Sequence, residues 1–450
     1  LIEEPEENLM IALPCHVNTV LRMLGDAGFE ACVVGGAVRD AIRGVPPKDW
    51  DVTTNALPAQ VQAVFADYRR IETGIRHGTV TVLVDREPIE ITTYRVDGAY
   101  TDHRRPDSVR FTPSLREDLL RRDFTINALA YSPAAGIVDV VGGLDDLKNG
   151  LVRCVGDPDR RFGEDGLRIL RAIRFASTFG MKLEPATAAA VHRNRALLTS
   201  IAAERIRSEL TKLLCGQDAA AILEEFADVI AVPIPEIAPM IGFDQKNPHH
   251  DRDVWRHTAA AVAAAPADEI LRVAALLHDV GKPSCFAQGE DGVGHFYGHA
   301  KQSVRLADSI LRRLCFGTAT REQIVTLIRF HDMPLTVDKK AIRRLMSRLG
   351  ADTVRQLIEL HEADTRGQSA ICRPRLAEYA RVRAVLEELL REEACFSLRD
   401  LAVNGSDMIA LGLSGKTIGA ALHACLDAVM EEKLPNDRTQ LLAFARETFA

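Results

Sequence analysis

In the segment Lys48-Asp49-Trp50-Asp51-Val52-Thr53-Thr54, two carboxylates alternate with apolar residues. On an extended strand, residues i and i+2 project from one face, so Asp49 and Asp51 can share divalent cations. Two such ions roughly 3.5–4 Å apart would bind a triphosphate and help deprotonate an attacking hydroxyl, as in-line phosphoryl transfer requires. A DxD pair on its own is more often a solvated strand face. This one gains weight from Gly35-Gly36 upstream, where apolar Ala31–Val34 runs into a helix-like AVRDAIRG. Glycine has no Cβ, so such a turn can bring backbone amides against a phosphate. A third carboxylate would complete the set, and Glu90, between Ile89 and Ile91, faces away from both. Packing of the isoleucines alone accounts for that strand equally well.

The second group of candidates lies in the C-terminal half. His278 and Asp279 are adjacent in ALLHDVGKP, within an apolar helical pattern. Burying an aspartate is costly unless it is paired or bound to metal, so this pair asks for an explanation that lone His16 and His192 do not.

These residues must be held by two kinds of scaffold. The first third reads as strands, with β-rich runs at Ala31–Val34, Thr79–Val84 and Ile89–Tyr94 between Gly and Pro turns. From about Pro158 apolar residues recur at three- and four-residue spacing, as in LRILRAIRFA and AAERIRSELTKLL. The polar stretch FDQKNPHHDRD breaks that periodicity and marks a boundary. The expected fold class is therefore α+β: an α/β head with a small mixed sheet, followed by a mostly all-α remainder. The expected domains are residues 1–150, 151–242, 243–370 and 371–450. A glycine-marked turn between two amphipathic helices is expected around GLSGKT, whose spacing does not match a phosphate loop.

A chain of 450 residues with 47% hydrophobic residues can bury several cores. The net charge of −7 leaves any nucleic-acid contact to local basic clusters. Nine cysteines without CxxC spacing suit reduced thiols, and there is no long uninterrupted apolar run. Together with an acidic start that lacks signal-peptide features, this reads as a cytoplasmic protein with no membrane partner.

GGAVRD with Asp49-x-Asp51, then RRDFTINA at Arg121–Ala128, then EDGLRILRAIRF at Glu164–Phe175, resemble in order the head and neck motifs of the bacterial class II tRNA nucleotidyltransferase and poly(A) polymerase family. The resemblance is clearest over about residues 30–235. It implies that Gly36, Arg39 and Arg122 contact the incoming nucleotide, that Asp49 and Asp51 hold magnesium, and that the segment with Asp123 and Asn127 recognises ribose. The charged stretch between Arg95 and Phe111 resembles the loop that lets related enzymes switch from C to A addition. Asp165, Arg168 and Arg171, taken as one helix face, would read the base: a carboxylate accepts from the exocyclic amine of C or A, and a guanidinium donates to the adjacent ring nitrogen. Arg174, about 180° from Asp165 on such a helix, would brace the triphosphate or the head–neck contact. A salt-bridged surface helix is the competing reading.

Further on, His257, His278, Asp279 and Asp364 resemble the H…HD…D ligands of HD-domain phosphohydrolases, with His295, His299 and His331 as additional candidates. That resemblance implies a manganese, nickel, iron or zinc site able to support phosphate-ester hydrolysis. The function implied is template-independent addition of CCA to tRNA from CTP and ATP, by a monomer or homodimer. Poly(A) polymerase, a partial CC- or A-adding enzyme, and an HD phosphohydrolase with a non-catalytic RNA-binding head are the alternatives.

Overall fold

Seven short segments pair into one mixed sheet; six carry β-branched Val, Ile or Thr, and the seventh, Leu129–Ser132, buries Leu129 and Tyr131. In the computed structural model, which describes residues 10–98, 108–391, 397–431 and 433–449, these are β1 (Ala31–Val34), β2 (Asp51–Thr54), β3 (Arg70–Ile71), β4 (Thr79–Val84), β5 (Glu87–Thr93), β6 (Leu129–Ser132) and β7 (Gly136–Asp139). Their spatial order is β3-β4-β5-β2-β1-β6-β7. The β4–β5 hairpin opposes Val80 to Ile91 and Val82 to Ile89. All four side chains are fully buried, with Val17, Val20 and Leu24 of α1 (Cys15–Asp26) in the same core. Alternation then places Thr81 and Glu90 on the other face.

One pairing is parallel: β2 runs beside β5, with Asp51 opposite Glu90. The strands expected from sequence at 31–34 and 79–84 form with those bounds, and the third is shifted to Glu87–Thr93.

The chain divides into two units, residues 1–235 and 236–450. In the first, the sheet is followed by α3 (Pro158–Glu164), α4 (Leu167–Phe179) and α5 (Ala203–Leu214). Asp157 caps α3, accepting from the Arg160 amide at 2.8 Å, with Pro158 at the first helical position. The second unit is built mainly of helices, among them α6 (Val254–Ala264), α7 (Glu269–Leu277), α8 (His299–Arg313), α9 (Thr318–Phe330) and α10 (Ala351–Gly367). Towards its end the helices Gly405–Ala410 and Lys416–Met430 flank a turn with Gly412 and Gly415 at positive φ, as the GLSGKT reading expects.

Of the charged segment between Arg95 and Phe111, only the roots are described: Arg95–Asp97 pairs with Val109–Phe111. Residues 99–107 lie outside the described residues, as does the acidic start, residues 1–9.

Candidate active site and candidate metal centre

The glycine turn depends on Gly35. Its φ of 74° and ψ of −130° are open to glycine alone, and a Cβ there would lie 3.1 Å from an Arg122 guanidinium nitrogen. Gly36 opens α2 (Gly36–Ile42).

Asp51 is the first residue of β2, and Asp49 lies just ahead of the strand. Both side chains are exposed, as is Glu90. The protein around the Asp51 carboxyl raises its pKa, Glu90 adds to that, Arg122 opposes it, and Asp49 adds again. Such mutual repulsion is what a multivalent cation relieves.

Arg122 is held from behind by Asp118, a fully buried residue that sequence reasoning missed. Asp118 Oδ2 accepts from Arg122 at 3.2 Å and Oδ1 from Arg121 at 2.8 Å. It also lies 3.5 Å from the Thr53 hydroxyl on β2 and accepts from the Arg95 amide at 3.3 Å. Burial alone would raise the Asp118 pKa, but Arg121 and Arg122 outweigh it and hold the carboxyl below its usual value. The spacing of an aspartate three and four residues before two arginines was the available signal.

Arg39 and the RRDFTINA residues form one network. Arg39 is buried; its Nε and one terminal nitrogen each donate to Asp40 at 2.9 Å, and the other terminal nitrogen donates to Asn127 at 2.5 Å. Asn127 donates to Asp123 at 3.1 Å, and Asp123 accepts from Arg171 at 2.6 Å. Burial would push the Asp123 pKa up, yet Arg171 and then Arg168 carry it far below the usual carboxylate range. The Arg39 guanidinium also lies 4.5 Å from the Phe179 ring, which stacks on Phe175 at 5.3 Å. The first helix after the glycine turn is thus tied to the neck helix α4 by charge and by cation–π contact.

The neck corrects one expectation. Asp165 does not share a helix face with Arg168: α3 ends at Glu164, Asp165 is extended at φ −139° and ψ 107°, and α4 begins at Leu167. The Asp165 carboxylate accepts from the Leu167 amide at 3.0 Å, the kind of side-chain-to-backbone bond that competes with helix continuation. Arg205 of α5 pairs with Asp165 at 2.8 Å, and Glu209, one turn along, holds Arg174 at 2.8 Å. Arg168 is held by Glu164 at 2.6 Å. Arg205 and Glu209 were missed, although their i, i+4 spacing in AAERIRSELTKLL marks one helix face.

In the second unit, His257 on α6, His278 and Asp279 after α7, His299 opening α8, His331 ending α9 and Asp364 on α10 converge. His257 Nε2 lies 3.0 Å from Asp364 and 3.3 Å from Asp279, and His278 Nε2 lies 3.2 Å from Asp279. The Nε2 atoms of His257 and His278 and Oδ2 of Asp279 are buried without an aligned hydrogen-bond partner. The Nδ1 atoms of His278, His299 and His331 donate to the carbonyls of Ala275, Phe296 and Ile328 at 2.7, 2.9 and 2.7 Å. That pattern fixes the tautomer and turns each Nε2 lone pair inward, as metal-ligating histidines require.

Burial lowers the His278 pKa, but Asp279 and Asp364 outweigh it and push it up to about 10, so a cation entering here displaces protons. Lys282, 2.7 Å from Asp279, is a cation that sequence reasoning missed, three residues past the aspartate. Gly367 admits α10 to the cluster, since a Cβ there would meet His257 at 3.0 Å. The residues therefore fit a transition metal in ligand type, burial and orientation. His295 stacks on exposed Tyr297 at 5.4 Å and is not among the clustered ligands.

A glycine turn beside paired carboxylates on a mixed sheet, followed by helices that carry charge networks back to it, defines a nucleotidyltransferase-type polymerase. The family model for the poly A polymerase head domain matches residues 31–153, that for the "Probable RNA and SrmB- binding site of polymerase A" residues 180–238, and that for tRNA nucleotidyltransferase domain 2 residues 297–445. A CCA-adding enzyme of Lactiplantibacillus plantarum is 33% identical over 431 residues, covering 95% of this chain and 94% of that protein. The chain belongs to the CCA-adding enzyme family. A Lactobacillus helveticus CCA-adding enzyme is 49% identical over 220 residues, 49% of this chain and 55% of that protein, so this match spans about half the relative's length. The crystal structure of the Bacillus stearothermophilus CCA-adding enzyme in complex with CTP superposes with a TM-score of 0.71 at 28% identity, covering 96% of each chain.

Proposed function

We propose that this chain adds CCA to the 3′ end of tRNA from CTP and ATP without a nucleic-acid template. The observation that carries the reading is the parallel register that sets Glu90 beside Asp51, with Asp49 two residues upstream and the glycine turn on the adjoining strand. Asp49 and Asp51 would hold magnesium, with Glu90 as the third carboxylate; bound magnesium supplies charge neutralisation of the triphosphate and a more acidic attacking hydroxyl. Gly36 and Arg122 face the nucleotide, while Arg39, Asp123 and Asn127 hold the ribose-facing segment through their network. Asp165, Arg168 and Arg171 read the base, and Arg174 braces α4 against α5. The named relatives are described as CCA-adding enzymes, one of them in complex with CTP, which supports the same reading.

The test uses tRNAs ending before the first C of the CCA, after it, and after the second C, each given CTP and ATP separately. CMP on the first two and AMP on the third is the expected pattern. Repeated AMP on every primer points instead to a poly(A) polymerase, and arrest after CC to a partial enzyme.

Asp165→Ala should let UTP and GTP compete about 10- to 100-fold better, the range one bidentate base contact supplies. Competition assays on the primer that takes CMP measure this. Unchanged selectivity with a lowered melting temperature would mean that Asp165 serves only to cap α4 and hold Arg205.

We further propose that His257, His278, Asp279 and Asp364 hold a transition metal in an HD-type domain and hydrolyse phosphate esters. This reading rests on the buried Nε2 atoms of His257 and His278, which face the Asp279 and Asp364 carboxylates without an aligned hydrogen bond. A cytoplasmic setting accords with the free thiols of all eight described cysteines. No helix among the described residues is long and apolar enough to cross a membrane.

A further inference from the structure

We infer that Asp118 is a positioning residue for nucleotide addition: it anchors Arg122 for the incoming triphosphate and keeps that guanidinium off the carboxylates that would hold magnesium. This rests on the nucleotidyltransferase reading above. Asp51 and Thr53 are two residues apart on β2 and so share a face, and Thr53 stands opposite Thr92 of β5 as Asp51 stands opposite Glu90. The face is acidic at its exposed end and carries threonine hydroxyls one step inward. There the buried Thr53 hydroxyl lies 3.5 Å from Asp118 Oδ2. Asp118 is thus a fourth carboxylate on the same side of the sheet, but a fully buried one.

A carboxylate that deep persists only when cations answer it, and here two arginines do so unequally. Arg121 meets Oδ1 with Nε at 3.0 Å and a terminal nitrogen at 2.8 Å. Arg122 gives Oδ2 one terminal nitrogen, at 3.2 Å. Its Nε is buried without a hydrogen-bond partner, and its other terminal nitrogen lies 3.1 Å from where a Gly35 Cβ would stand. Arg122 is therefore tethered at one corner, with the rest of its planar fork turned to the glycine turn where a phosphate would sit.

The tether also protects the metal carboxylates. Burial and then Glu90 disfavour the charge on Asp51, and Arg122 favours it, so the guanidinium acts on Asp51 from where it stands. Moved closer, it would form an ion pair with Asp51 and compete with a divalent cation for the same oxygens. Asp118 supplies the counter-charge that holds it back. Loss of that charge then costs the site twice: the triphosphate loses an arginine, and magnesium meets a competitor.

The test compares the full chain with Asp118→Asn, Arg122→Gln and the double variant. Two quantities are read: the magnesium concentration for half-maximal CMP addition and, without tRNA and in EDTA, the affinity for labelled CTP by equilibrium dialysis. Asp118→Asn should raise the half-maximal magnesium concentration about 10- to 100-fold, the range lost when a group that orients a metal site from behind is removed. Arg122→Gln should leave that concentration close to the parent's, and in the double variant the rise should vanish, because no guanidinium remains to claim Asp51. CTP affinity in EDTA should fall about tenfold in all three variants alike, since each removes the same charged contact. An unchanged magnesium requirement in Asp118→Asn, or a rise that persists in the double variant, overturns the inference and leaves Asp118 a support of the fold. If Asp118→Asn does not fold, Arg122→Gln decides alone: a steep fall in its magnesium requirement would show the guanidinium already paired with Asp51, against the inference. A parent chain that neither retains CTP nor extends tRNA defeats the nucleotidyltransferase reading itself.

Discussion

Asp51→Ala lowers nucleotide addition by at least about 1,000-fold, equivalent to roughly 4 kcal/mol of transition-state stabilisation, while tRNA affinity changes by no more than a few-fold. Asp49→Ala does the same. The carboxylates serve the chemistry, whereas RNA is held by contacts to its backbone elsewhere. Single-turnover extension with labelled CTP measures the first quantity and filter binding the second. Unfolding can be excluded by sign. The folded state holds Asp51 above the usual carboxylate pKa because its surroundings and Glu90 disfavour the charge. Above that pKa the ionised group therefore costs stability, and below the unfolded value it costs none. Asp51→Asn should then raise the melting temperature near neutral pH in the absence of magnesium, with the gain shrinking as pH falls. A variant that melts higher yet does not extend tRNA locates the loss in the chemistry. Turnover within a few-fold of the parent would remove Asp51 from the active site.

The second large effect is expected in the histidine cluster. His278→Ala combined with Asp279→Ala abolishes metal retention and any phosphomonoester or 2′,3′-cyclic phosphate hydrolysis, yet leaves CCA addition within about threefold of the parent. Both residues are buried, and removing Asp279 takes away the carboxylate 2.7 Å from the buried Lys282. Leaving one member of a buried pair behind costs about 3–5 kcal/mol. His278→Gln, which keeps a polar side chain and the charge pairing of Asp279 with Lys282, is the milder companion. Elemental analysis, a phosphatase assay and primer extension on the same preparations give three separate readouts. Survival of metal and hydrolysis in the double variant, or collapse of CCA addition in a folded His278→Gln protein, would sink the assignment of two independent sites.

The strands and the carboxylate register were legible because period-two alternation reports directly on which side of a sheet a residue faces. Ile89 and Ile91 went inward, so Glu90 had to go outward, and only its neighbour Asp51 needed the fold to be identified. The break at Asp165-Gly166 was not legible in the same way. The apolar spacing of LRILRAIRFA begins only at Leu167 and is silent on the break before it, where α3 ends at Glu164 and Asp165 binds the Leu167 amide and the Arg205 guanidinium. Propensity gave no warning of a partner forty residues away. Nor was it legible that the guanidinium of Arg39, which the resemblance assigns to the incoming nucleotide, is engaged by Asp40, Asn127 and a phenyl ring. In the second unit the adjacency of His278 and Asp279 was readable as chemistry, whereas the sharing of Asp279 between two histidine pairs depends on four helix ends meeting in space.

Asp118 sets a rule for transplanting parts between relatives. One buried carboxylate binds the amide that opens the Arg95–Asp97 ribbon, the arginine behind the glycine turn, and the strand that carries Asp51. A chimera that imports foreign sequence strictly between residues 98 and 108 leaves this junction whole. One spliced at Arg95 or at Phe111 replaces a register that the junction was fitted to, and its penalty would surface at Thr53 and Arg122, both outside the grafted segment.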